Sequence, residues 1–249
     1  MQNADMADAS GPDPSAAASE PERLTDAQRS LRAQMLATEH WSLLASRSTT
    51  QSEVLTRIAI FLTLVSAGLL SLGLLGNATE FRGWFGVAAL GVLFVLVLIG
   101  VVTTLRVFNT AAEDLAYVLA MNRLRGAYLD LDPGIERYLM MSPADDEKGA
   151  QRTYFPFAVR RRSQVFASSM MVILVVETAL IGLFTGSLTY ALAGSVGWAI
   201  SVGIVAAAAA MSLWLRSGYL GYLAVWRSHA PLRTTDSPWP PTAAGTPDA

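Results

Sequence analysis

Four apolar stretches, over residues 54–75, 84–105, 165–186 and 197–215, constrain this chain more than any other feature. Each is about twenty residues long, and a helix needs about 20 residues to cross a hydrocarbon layer of about 30 Å. A soluble core has no use for four uninterrupted spans of that length. The expected fold is therefore all-α, with four transmembrane helices forming two hairpins and with helical extensions on the cytoplasmic side. The lipid bilayer is the first partner of such a chain.

The distribution of charge predicts how the spans are threaded. Of the 18 basic residues, all but Arg82 lie outside the loops that face the far side. Arginine and lysine are retained on the cytoplasmic side, so both termini and the central region are expected there. Arg160, Arg161 and Arg162 abut the third span, where they would anchor it and attract anionic headgroups at about 1 kcal/mol each. Only Lys148 is a lysine, and alanine is abundant, which suggests a GC-rich bacterial genome and hence multi-pass insertion in a bacterial inner membrane. The polar N-terminal region carries no signal-peptide pattern, so the first span is expected to direct insertion. There is no cysteine, and His40 and His229 are the two histidines. Disulfides, thiolate chemistry and a conventional metal site thus lack their raw material. No metal, cofactor or nucleic-acid partner is expected.

Organisation follows from composition along the chain. Residues 1–22 are small, acidic and proline-containing, and read as a disordered tail. An amphipathic cytoplasmic helix is expected over 23–52, capped by Thr25 or Asp26, with Leu31, Met35, Thr38 and Leu43 on one face. The polar run 46–52 is either a bend or a continuation into the first hairpin, 53–107. The helical pattern persists through the cytoplasmic region, 108–162, with Leu115, Val118, Leu119, Asn122 and Leu129 in a stripe. It stops at Asp132-Pro133-Gly134, a turn signal. A short helix is expected over 135–141 and a polar loop over 142–149. The second hairpin occupies 163–216, with Trp198 and Trp214 placed as interfacial belts about 24 Å apart. Residues 217–249 read as a cytoplasmic C-terminal tail, proline-rich at its end.

Glu177 is the one ionisable residue well inside a span. Counted from Val165 it lies about 18 Å into the layer, slightly past the midplane. Ser66 on the first span and Ser201 on the fourth fall at similar depth and are its expected hydrogen-bond partners. One reading makes Glu177 a proton or cation site on a conduction path. The plainer one makes it a neutral acid joining helices. Small residues recur at four-residue spacing: Thr178, Gly182 and Gly186 on the third span, with Ser195, Ala199, Gly203 and Ala207 on the fourth. Such stripes allow backbones to approach closely, either within a tight hairpin of spans three and four, the favoured reading because the connecting loop is short, or across a homo-oligomer interface. Glu39, His40 and Glu113 are the candidates for acid–base chemistry in the cytoplasmic region. Nucleophile elbows, phosphate loops and zinc-helix motifs do not occur.

The segments Ala37-Thr38-Glu39-His40-Trp41-Ser42-Leu43-Leu44 and Ala112-Glu113-Asp114-Leu115-Ala116-Tyr117-Val118-Leu119 resemble a group of uncharacterised actinobacterial multi-pass membrane proteins. That resemblance implies a membrane architecture and no particular activity. More distantly, helix, two spans and helix over 25–140 is similar to the two-helix membrane effector domains of bacterial nucleotide-signalling systems (the SLATT type), which implies pore formation by analogy of architecture. The leading expectation is a non-enzymatic membrane protein acting through oligomerisation or an unidentified cytoplasmic partner. The alternatives are a pore with Glu177 in or near its path, and a membrane enzyme using Glu39, His40 and Glu113.

Overall fold

The computed structural model describes residues 24–157 and 168–236. The acidic tail, Arg160 to Arg162 and the end of the proline-rich tail lie outside the described residues. Among those described there are helices and no strand, and four of the helices are long and apolar enough to cross a membrane.

The first helix, α1, runs unbroken over Asp26–Ala78. It is capped by Thr25, whose hydroxyl accepts from the Gln28 N–H while the Gln28 side chain accepts from the Thr25 N–H. This reciprocal box satisfies two of the orphan donors of the first turn. With no Gly or Pro before Gly68, the polar run 46–52 continues the helix. The second helix, α2, spans Phe85–Leu131. At 1.5 Å per residue the two are about 80 and 70 Å long, so each extends tens of ångströms beyond a hydrocarbon layer. Neither breaks at the boundary expected between span and extension.

A tight turn makes α1 and α2 antiparallel neighbours. Glu80 and Phe81 both adopt left-handed φ values, 51° and 57°. That geometry folds the Phe81 ring back over Gly76, where a Cβ would collide with it. The inward face of α1 then recurs every three or four residues: Leu36, His40, Leu43, Arg47, then Val54, Ile58, Phe61 and Val65. Leu43 therefore turns inward, whereas Leu31 and Met35 face solvent. The grouping of Leu31, Met35 and Leu43 on one stripe is corrected: Leu43 lies about 120° from Leu31 at 100° per residue.

Two further changes occur between the hairpins. The turn after Asp132 is a short 3-10 helix, Pro133–Tyr138, begun by the Asp132 carboxylate accepting from the Gly134 N–H at 2.9 Å. The expected polar loop instead starts a helix, α3 (Glu147–Tyr154), because Asp146 caps it by accepting from the Gly149 N–H at 2.7 Å. Next, α4 covers Ser169–Ala193 and α5 covers Val196–Ser228, joined through Gly194 at a φ of 65°. Here the small residues meet: Gly182 faces the carbonyl of Gly203 and the Ala207 methyl, and Gly186 faces the carbonyl of Ala199. Thr178 is buried on the same helix, its hydroxyl donating to the Leu174 carbonyl at 2.7 Å.

The cores are two. One lies within the spans, where Val54, Ile58, Phe61 and Val65 of α1 meet Leu93, Leu96 and Val107 of α2 and Ile173 and Leu180 of α4. The other lies beyond the spans and forms a collar: Leu115, Val118, Leu119, Met121 and Ala150, with Leu43, Val225 and Trp226 packed against them. The end of α5 thus returns to the collar.

Candidate functional site

At the edge of the spans, charge appears abruptly. Glu53 accepts from Arg57 at 2.9 Å and from Arg106 at 3.3 Å, and Arg106 also donates to Glu113 at 2.9 Å. Glu113 is therefore held in an ion-pair network. His40 stacks on Tyr128 with ring centroids 6.0 Å apart, while Glu39 faces solvent. Each of the three acid–base candidates has its own surroundings, and among the described residues they converge on no common site. Burial, then the nearby Arg125 cation, holds the His40 imidazole below its ordinary range.

Asp114 ties the collar together. Its carboxylate accepts from Arg47 at 2.7 Å, Gln51 at 2.8 Å and the Tyr154 hydroxyl at 2.7 Å, linking α1, α2 and α3. About two turns further along α2, the wholly buried Asn122 donates to the Ala144 carbonyl at 2.8 Å and accepts from Arg125 at 2.7 Å and Thr153 at 2.8 Å. A buried amide satisfied on both sides fixes how the 142–153 segment sits on α2.

The C-terminal segment is ordered against this frame. Asp145 is wholly buried and accepts from Arg123 and from the backbone N–H groups of Leu232 and Arg233, each at 2.9 Å. Its own N–H donates to the Arg233 carbonyl at 3.1 Å, and the His229 ring lies 2.6 Å from its carbonyl oxygen. Asp146 takes the Thr235 N–H and hydroxyl, and Arg233 reaches Asp130 at 2.7 Å. Residues 229–236 are therefore a strap, not a free tail. Burial alone would push the Asp145 carboxyl up, but Arg123 and the two backbone donors outweigh it and hold it below its ordinary value.

Within the spans, Glu177 is wholly buried on α4, and neither carboxyl oxygen has a hydrogen-bond partner. It occupies a notch at Gly100 on α2, where a Cβ would overlap its carboxyl, and Phe61 of α1 closes the other side. The expected partners are elsewhere. Ser66 is exposed and donates to its own helix, at the Leu62 carbonyl, 2.9 Å away. Ser201 is exposed on α5. The register of Gly182 on Gly203 leaves it about two turns from the level of Glu177. The depth also changes. Glu177 is level with Gly100, five residues or about 8 Å from the collar-side edge at Leu105, so it sits on the collar side of the midplane.

Gly100, Phe61, Asn122 and Asp145 were not marked by the sequence patterns as site residues. Asn122 carried a usable signal, as an amide within an apolar stripe. Gly100 carried none, since glycine is common in membrane helices. Comparison of the chain with protein-family models, with curated proteins and with solved structures finds no match.

Proposed function

We propose that this protein is a multi-pass integral membrane protein of a bacterial inner membrane, with both termini and the collar in the cytoplasm. It acts without catalysis, through self-association or a cytoplasmic partner that docks on the collar side. The orientation rests on the basic residues, which gather on the collar side and leave Arg82 alone at the opposite turn.

The observation that carries the partner reading is the bare outer face of α1. Along its length this helix packs chiefly on α2. The opposite face presents Thr38, Ala45, Thr49, Ser52, Thr56 and Thr63, all exposed. Their hydroxyls turn back onto their own helix, as Thr38 does onto Gln34, Thr49 onto Ala45 and Thr63 onto Ala59. By helical geometry the charged residues between Gln34 and Leu74 lie off the centre of that face, the nearest being Glu53, about 60° from Thr38 and paired with Arg106. Beyond the span, Trp41, Met35 and Leu31 stand 71%, 65% and 59% exposed. A smooth helix face, free of charge along its centre and carrying large apolar side chains beyond the span, suits protein contact.

The chain has no cysteine, so single cysteines report cleanly. Cysteine at Thr38 or Thr49 should cross-link the full-length protein in native membranes, to itself or to a co-purifying chain, while cysteine at Thr50 on the inward face should not. Impermeant labelling at Asn77 and Thr189 but not at Asp146 would support the orientation. A monomer without partner or cross-link refutes the association reading, and the opposite labelling pattern refutes the orientation.

A further inference from the structure

A second feature, independent of how the chain associates, lies inside the spans. Glu177 is sealed from solvent with both carboxyl oxygens unpartnered, and Thr104, equally sealed, has a hydroxyl without a partner. Beside them a cavity of about 370 Å³ opens between α1 and α2, lined by Arg57, Ile60, Phe61, Val102 and Thr103 among others. The Phe61 ring is common to both places: it lines the cavity, and its tip lies 3.0 Å from the point at Gly100 that the Glu177 carboxyl overlaps. The Phe61 ring therefore lies between the buried acid and a cleft that Arg57 also lines.

We propose that Glu177 is an intramembrane proton-binding site, loaded and unloaded from the collar side through the Arg57 cleft, with Phe61 as the side chain that opens and closes it.

The ligand is a proton because the surroundings offer little else. A divalent cation takes about six or more oxygens. The Glu177 notch is made by a glycine, an aromatic ring and aliphatic side chains, and no group of three acids or histidines suited to a metal occurs among the described residues. Charge near the site is equally sparse. Glu177 is the sole charged residue of α4, and α5 has none before Arg216. Between Phe85 and Leu105, α2 has none, and its Arg106 is committed to Glu53 and Glu113. On α1 the nearest is Arg57, one turn from Phe61 and paired with Glu53. A carboxylate without donors is poorly tolerated in such a place, whereas the neutral acid fits it. Loss of the proton therefore requires either that Phe61 swing aside to admit water or that the acid leave the notch. Since Glu177 lies between α2 and α4, proton occupancy is tied to how the two hairpins seat against each other.

The test is infrared difference spectroscopy on the full chain in liposomes, following the carbonyl stretch of a protonated carboxylic acid during transfer to D₂O. The expected result is a protonated-carboxyl band at neutral pH that is absent in Glu177→Gln. Its exchange shift should be at least about tenfold faster in Phe61→Ala than in wild type, because removing the ring makes opening unnecessary. Phe61→Leu, which keeps the core filled, should fall between the two, and helix content by circular dichroism certifies each variant as folded. The proposal is overturned if no protonated-carboxyl band disappears in Glu177→Gln. It is equally overturned if folded Phe61 variants exchange at the wild-type rate, since the cleft would then not be the route.

Discussion

Glu177 on α4 occupies the volume that any side chain at Gly100 on α2 would need. This pairing, not a hydrogen bond to Ser66 or Ser201, is how the Glu177 carboxyl is housed where the two hairpins meet, beside the packing of Ile173 and Leu180 in the same core. Gly100→Ala should force the carboxyl out of its notch and lower stability by about 1–3 kcal/mol, the usual cost of overpacking a filled core. Thermal unfolding in detergent micelles measures it. An unchanged midpoint would mean that the notch is slack and that α2 and α4 slide freely.

The absence of partners reverses an expectation. Had Glu177 glued helices together, leucine there would cost a hydrogen bond. With both oxygens unpartnered, Glu177→Leu removes a buried unsatisfied group of similar size and should leave stability equal or raise it by about 1–3 kcal/mol. The same unfolding experiment decides. A strong destabilisation would reveal donors supplied by another chain.

The α4–α5 hairpin is closed by contacts between backbones. A Cβ at Gly203 would stand 2.8 Å from the Gly182 carbonyl oxygen, so neither helix can yield without separating. Gly203→Leu should prise the pair apart and destabilise by at least about 3 kcal/mol, whereas Gly197→Ala, in open space, should change little. Tryptophan fluorescence from Trp198 and Trp214 during denaturation gives the comparison.

Acid should release the strap. The Asp145 carboxyl is held below its ordinary value of 3.8. A carboxyl depressed by folding contributes stability that is present above its unfolded value and is lost as pH falls through its folded value. The His40 imidazole, held below 6.5 mainly by burial, acts in the same direction at a higher pH: full stability above 6.5, loss on acidification. Limited proteolysis of residues 229–236 should therefore be slow at neutral pH and accelerate only in acid. Asp145→Asn should bring that sensitivity to neutral pH, at a cost of about 2–4 kcal/mol. Equal protection in wild type and variant would show that Asp146 and the 2.6 Å ion pair of Lys148 with Asp236 suffice to hold the strap.

The spans and the small-residue hairpin could be read from the sequence because both signals are local. Twenty apolar residues in a row need no tertiary information, and Gly182, Gly186 and Gly203 advertise close approach by their spacing. What escaped was set by partners distant in the chain. Leu31 and Met35 share a face that Leu43, about 120° from Leu31, does not, and only the position of α2 decides which of the two faces turns inward. Asp145 and Asp146 look like ordinary loop acids until contacts from residues 229–235 arrive 84 to 89 positions later. A count from Val165 puts Glu177 past the midplane, whereas its contact with Gly100, distant in the chain, sets it level with a residue five positions from Leu105.

The continuity of α1 has a mechanical consequence. With no joint between its distal end at Asp26 and the membrane edge near Val54, the outer portion is a stiff lever about 42 Å long. A reorientation of about 10° at that edge sweeps the tip by about 7 Å, more than the width of one helical turn. Any re-angling of the first span would therefore be carried, enlarged, towards Leu31 and Trp41, unless the collar contacts of Leu43, Arg47 and Gln51 hold the helix to its neighbours.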